Sequence, residues 1–199
     1  MAEIEAEMDM RASYFLLLGS PYYNLLSDTS IAAPRRLVAL GHEVGLHYDV
    51  RSIARASEEP AAVLAKQAEL LSELAGEKVV SIAMHNPSTS GADLFRRSAF
   101  INAYDEKFTQ DGYFSDSCGA WRDDFVNRYA EDKLPENIQL LVHPIFWAEE
   151  SQDRLTTLEQ FAASQVAELA DEIEGVRELW SQHSGVQEHD QREARQAAQ

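Results

Sequence analysis

Three short apolar runs, residues 43–47, 78–84 and 137–142, each deliver a histidine to their C-terminal end, at His47, His85 and His143. Strands of this kind, set among stretches with helical periodicity, pack as a mostly parallel sheet or as a barrel, so the chain is of the α/β class. In both architectures the carboxyl ends of the strands form the functional rim. The clearest case is residues 41–49, Gly-His-Glu-Val-Gly-Leu-His-Tyr-Asp: a helix stops at Gly41, a strand follows, and His47 and Asp49 emerge at its end. Two positions apart on an extended strand, these two side chains share one face.

The remaining sequence fits the same scheme. Residues 1–10 read as a helix with Ile4 and Met8 forming a buried stripe, and residues 12–18 as an apolar strand buried on both faces. A polar and aromatic loop, 19–27, holds Tyr22 and Tyr23. Asp28 or Ser30 can cap a helix running to about Leu40, and Pro60 opens another that Gly76 ends. Residues 99–104 and 112–115 read as short strands and 123–129 as a short helix. From Asp153 to Trp180 apolar residues recur at helical spacing. That helix is expected to cover the outer face of the fold, and its stripe is also long enough to pair two copies as a homodimer. After Gly185 the sequence is polar, aperiodic and expected to be disordered. The expected division is one α/β domain over residues 1–183 and a tail over 184–199.

Charge narrows the partners. With 34 acidic against 17 basic residues and a net charge of −17, nucleic acid and anionic membrane surfaces would repel the chain. One cysteine, Cys118, excludes an internal disulfide and suits a reducing compartment. The longest apolar run near the start, residues 14–18, is too short to span a membrane and lacks the basic flank of a signal peptide. A cytoplasmic location is expected.

Each candidate has an ordinary structural alternative. His42, just past the helix stop, reads as a helix-end residue. His85 precedes Asn86-Pro87, a plausible turn, and could be a buried histidine bonded to a loop carbonyl. Asp116 lies between two serines, where a turn residue is common. His143 stands out, because Pro144 prevents its strand from continuing. Trp121 suits a lid or a wall of core.

Together, residues 42–49, 115–121 and 140–147 resemble the polysaccharide deacetylase superfamily, carbohydrate esterases with a distorted (β/α) barrel that remove N- or O-acetyl groups with a divalent metal. The resemblance covers about residues 10–150 and is strongest at His47. It implies that His47 ligates the metal, zinc being the default, with Asp49 or His85 supplying what is missing at Arg51, where the family carries its second histidine. It implies His143 as general acid with Asp116 orienting it, and it places the family's first strand, with its aspartate pair, before Met1. Tyr22, Trp121 and Trp147 are the aromatics suited to stacking on a carbohydrate or other small acetylated substrate. Three readings follow: a metal-dependent deacetylase-like hydrolase, a non-catalytic relative binding a saccharide or a partner, and, weaker, a Cys118 nucleophile served by His143 or His85.

Overall fold

The computed structural model describes residues 1–87, 93, 95–121, 124–147 and 152–197, and the chain divides into two units, Met1–Val142 and His143–Gln199. The first unit contains α1 (Ala2–Glu7), β1 (Ser13–Leu16), α2 (Ala33–Ala39), β2 (Glu43–Tyr48), α3 (Val50–Ala54), α4 (Pro60–Ala75), β3 (Ser81–Met84), β4 (Ile101–Asn102), α5 (Glu106–Thr109), β5 (Tyr113–Ser115), α6 (Phe125–Ala130) and β6 (Gln139–Leu141). The second holds a 3-10 turn, Pro144–Phe146, and the long helix α7 (Arg154–Ala197).

All strand pairs are parallel, and spatial order follows chain order: β1-β2-β3-β4 in one sheet and β5-β6 in another. Each strand is thus laid beside its predecessor, as in a segment of a (β/α) barrel, without the reversal of order that marks a doubly wound sheet. The barrel that the resemblance implies is not closed among the described residues. β4 contributes only Ile101 and Asn102 to its ladder, paired with Ser81 and Ile82, and the four-stranded sheet ends there.

Alternation along β2 gives the sheet two unlike faces. Val44, Leu46 and Tyr48 join Ile82 and Met84 in the core. Against them α4 lays Leu64, Ala68, Leu71 and Ala75, a stripe at helical spacing, all buried. Small residues line the opposite face: Gly45, Ser81 and Ala83, with Phe15 lying over Gly45. A methyl group on Gly45 would stand 2.5 Å from Phe15 Cε1 and 2.6 Å from Ser81 Oγ. The Ser81 hydroxyl is buried and makes no hydrogen bond among the described residues.

The glycine stops at Gly41 and Gly76 adopt φ of +88° and +71°, which a side chain would disfavour. Elsewhere the structure corrects the expectations. Ile4 and Met8 are exposed, at 61% and 65%, so α1 buries no stripe. β1 is an edge strand, with Ser13 exposed and Tyr14 to Leu16 half-buried, rather than a strand covered on both faces. α2 begins at Ala33 with Pro34 in its first turn, and neither Asp28 nor Ser30 caps it, because Ser27 to Ala33 are taken up by successive tight turns. α3 has no counterpart in the sequence reading. α7 continues past Trp180 to Ala197. No described helix is long and apolar enough to cross a membrane.

Candidate functional site

Register brings two histidines together. Tyr48 is level with Met84 in the β2–β3 ladder, and the chain's next step is fixed by His85 N donating to Tyr48 O at 2.8 Å. His47 Nε2 and His85 Nδ1 then stand 3.1 Å apart, with the rings edge to face at 5.0 Å between centroids.

The bonding partners assign the tautomers. His47 Nδ1 lies 3.1 Å from the Ala83 carbonyl oxygen, which can only accept, so Nδ1 carries the hydrogen and Nε2 presents its lone pair. His85 Nδ1 must therefore donate to it, which leaves His85 Nε2 to accept from the Asn86 amide at 3.0 Å. With both rings in the neutral form, the bonds run in one direction from Asn86 through His85 and His47 to Ala83. Asn86 holds a φ of +48°, a region asparagine tolerates better than most residues. Burial holds His85 below the ordinary imidazole value; the charge of Asp49 raises it and that of Arg51 lowers it further.

Asp49 has a different setting from the one expected of it. β2 ends at Tyr48, and Asp49 caps α3, accepting from Arg51 N at 2.8 Å. The Arg51 guanidinium grips the same carboxylate, Nε to Oδ1 at 3.1 Å and Nη2 to Oδ2 at 2.9 Å, and these bonds hold Asp49 below the usual carboxylate range. The cap is what starts α3.

Part of this donor set suits a metal ion. A tetrahedral zinc with nitrogen ligands at about 2.0–2.1 Å separates two donors by roughly 3.4 Å, near the spacing of the His47 and His85 nitrogens. His47 already has the ligand tautomer, its other nitrogen bonded to a carbonyl. His85 would have to move its hydrogen to Nε2, with Asn86 turning its amide oxygen toward it. Among the described residues no group of three or more histidine, cysteine, aspartate or glutamate side chains is placed to hold a metal ion.

Sequence reasoning missed the frame around this pair. Asp93 accepts from Tyr48 OH at 2.6 Å, from Phe95 N at 2.8 Å and from Asn102 Nδ2 at 2.7 Å. Tyr48 and Asn102 are fully buried, and burial together with the Asp93 carboxylate drives the Tyr48 phenol far above its ordinary pKa. One signal was available: a tyrosine directly after His47 must face the core, where its hydroxyl needs a partner.

Asp116 is buried at the end of β5; its N donates to Leu141 O at 3.2 Å and its carbonyl accepts from Gly119 N at 2.8 Å, closing a 3-10 turn, Ser117–Gly119. The side chain of Cys118 lies outside the described residues, and the nucleophile reading with it. Trp121 is half-buried, its ring 4.6 Å from that of Phe125. Tyr22 is exposed. In the second unit His143 precedes the turn Pro144–Phe146, its ring 6.2 Å from Phe146, and Trp147 is exposed. His42 is buried and structural, although not through the α2 dipole. Its Nδ1 accepts from Ala12 N at 3.2 Å and its Nε2 donates to Ala2 O at 2.8 Å, riveting α1 and the start of β1 to β2.

No protein-family model matches the sequence, and no curated protein does. Among solved structures, the chain is similar to the wild-type form of a CE4 family pseudoenzyme from Bacillus anthracis, at 15% identity and a TM-score of 0.46 over 84% of this chain and 54% of that one. It is similar to a mutant of the same pseudoenzyme at 16% identity and a TM-score of 0.46, over 82% of this chain and 56% of the other. The chain thus spans about half the length of these structures.

Proposed function

We propose that the chain is a deacetylase-like, metal-dependent hydrolase that removes an acetyl group from a sugar or a small amide. The observation that carries this reading is the convergence of His47 Nε2 and His85 Nδ1 at the carboxyl ends of adjacent parallel strands. In it His47 and His85 are the nitrogen donors, Asp49 is the nearby carboxylate, and the ion is zinc, which suits imidazole and carboxylate ligands. A divalent ion there would polarise the acetyl carbonyl and lower the pKa of a bound water. Of the protein groups, the Ala83 carbonyl would orient His47, Asn86 would orient His85, and His143, with Asp116 as its proposed orienting partner, would protonate the leaving amine or alkoxide, while the water's own proton would pass to solvent, since no residue of the chain is assigned as the base. Tyr22, Trp121 and Trp147 supply faces for a sugar ring.

A second reading, a non-catalytic relative that binds a saccharide or a partner, is favoured by the Arg51 fork, which occupies the carboxylate a metal would need. One experiment separates the two. Chelator-stripped protein is titrated with zinc by calorimetry, and acetate release from N- and O-acetylated sugars is followed in the same preparation. The hydrolase reading expects roughly one zinc per chain, a loss of tenfold or more in affinity in His47→Ala and in His85→Ala, and zinc-dependent acetate release. Zinc binding without release supports the non-catalytic reading, and a parent protein that binds no zinc overturns the metal assignment.

A further inference from the structure

The second unit carries a surface that the hydrolase reading leaves unused. α7 exposes eight large apolar side chains between Leu155 and Trp180, and its central residues, Val166, Leu169, Ile173, Val176 and Trp180, are 46–70% exposed. Their spacing is 3, 4, 3 and 4, the period of a coiled-coil seam. We propose that α7 pairs in parallel with the α7 of a second copy of this chain.

Residue chemistry at each heptad position selects that occupant. With Val166, Ile173 and Trp180 at a, and Leu169 and Val176 at d, β-branched residues fill two a positions and leucine one d position, the distribution that favours two parallel strands. Glu172 then falls at g and Arg177 at e, five residues on, so each helix presents an acid to its twin's base twice per dimer. Arg177 is bonded to Glu174 one turn back at 2.8 Å, with both side chains largely exposed, so a change of rotamer redirects it. Asp171, Glu174 and Glu178 fall at f, b and f, which keeps their charge off the seam. Gly175 falls at c, where a β-carbon would meet no other described group within 4 Å. At roughly 100 Å² for each large apolar side chain covered, the five seam residues supply about 500 Å² per partner, toward the small end of specific interfaces.

The test is the mass of the full 199-residue chain by sedimentation velocity over about 1–100 μM, with near-ultraviolet circular dichroism to follow the first unit. The parent is expected to be a dimer, and Leu169→Glu with Ile173→Glu a monomer with an unchanged near-ultraviolet spectrum. Two surface variants guard against simple misfolding. Arg177→Glu and Glu172→Arg should each weaken the dimer several-fold, up to about tenfold, by placing like charges opposite each other, and mixing the two should restore parental association. A parent that stays monomeric, a dimer insensitive to Ile173→Glu, or charge variants that fail to complement on mixing overturns the proposal.

Discussion

His47 Nε2 and His85 Nδ1 share a single hydrogen at 3.1 Å, and the direction of that bond is set from the far end, by the Ala83 carbonyl that obliges His47 to donate through Nδ1. Protonating His85 leaves that bond in place but puts a hydrogen on Nε2, where Asn86 now donates. Burial, the largest cause, opposes the same protonation.

Stability should therefore depend on pH through His85. Its folded pKa lies below the unfolded value of about 6.5, so the unfolded chain takes up the proton first. The stabilisation is full above about pH 6.5 and is lost as pH falls toward the folded-state value. Urea unfolding at pH 7.5 and at 5.5 should show the parent losing stability and His85→Gln losing less. Identical losses in the two proteins would assign the effect to other groups.

Asp93 is expected to be the most costly single position around the pair. Asp93→Ala strands the buried Tyr48 hydroxyl and the buried Asn102 amide and removes the acceptor of Phe95 N. Unmet buried donors cost about 1–3 kcal/mol each, so a loss of about 2–4 kcal/mol in denaturant unfolding is expected, with Asp93→Asn milder. A loss under about 1 kcal/mol would show that water replaces the carboxylate.

How much of this was legible in sequence follows the physics of each element. β2, α4 and β3 could be read because a period of hydrophobicity and a glycine or proline stop act locally: Gly41, Pro60 and Gly76 do in the structure what they do in the sequence. His47 and His85 could be placed at strand ends, but their contact depends on the β2–β3 register, and no local rule supplies it. Asp49 could be read at the strand's end, where its backbone is still extended, but its second duty as the cap of α3 could not, because residues 50–54 carry no helix signal of their own. The Asp93 network was invisible because its members are 45 and 9 residues apart in sequence.

The small-residue face beneath His47 offers a paired prediction of opposite sign. Gly45→Ala drives a methyl into the Phe15 ring and the Ser81 hydroxyl, and forced repacking of that kind costs about 1–3 kcal/mol. Ser81→Ala removes a buried hydroxyl that has no partner among the described residues, so it should be neutral or stabilising by up to about 1 kcal/mol. In Gly45→Ala with Ser81→Ala, the two effects should not add, because the substitutions meet at one contact. Clear destabilisation by Ser81→Ala alone would mean that an ordered water bonds this hydroxyl.

Arg51 decides between the two functional readings. Its fork holds the Asp49 carboxylate through two bonds and lowers its pKa, and its charge opposes protonation of His85. A cation arriving at His47 and His85 would meet a guanidinium already bound to the carboxylate it needs. Arg51→Ala should release Asp49 and tighten zinc binding roughly tenfold, the scale on which outer-sphere partners act. Arg51→His, which adds a nitrogen donor where the deacetylase resemblance places one, should tighten it further. The cap of α3 survives both changes, since Asp49 accepts there from the backbone N of residue 51. Calorimetry on stripped protein measures the affinities directly. Zinc affinity unchanged or weaker in both variants would show that Asp49 takes no part in metal binding and that Arg51 serves only to fix the turn into α3.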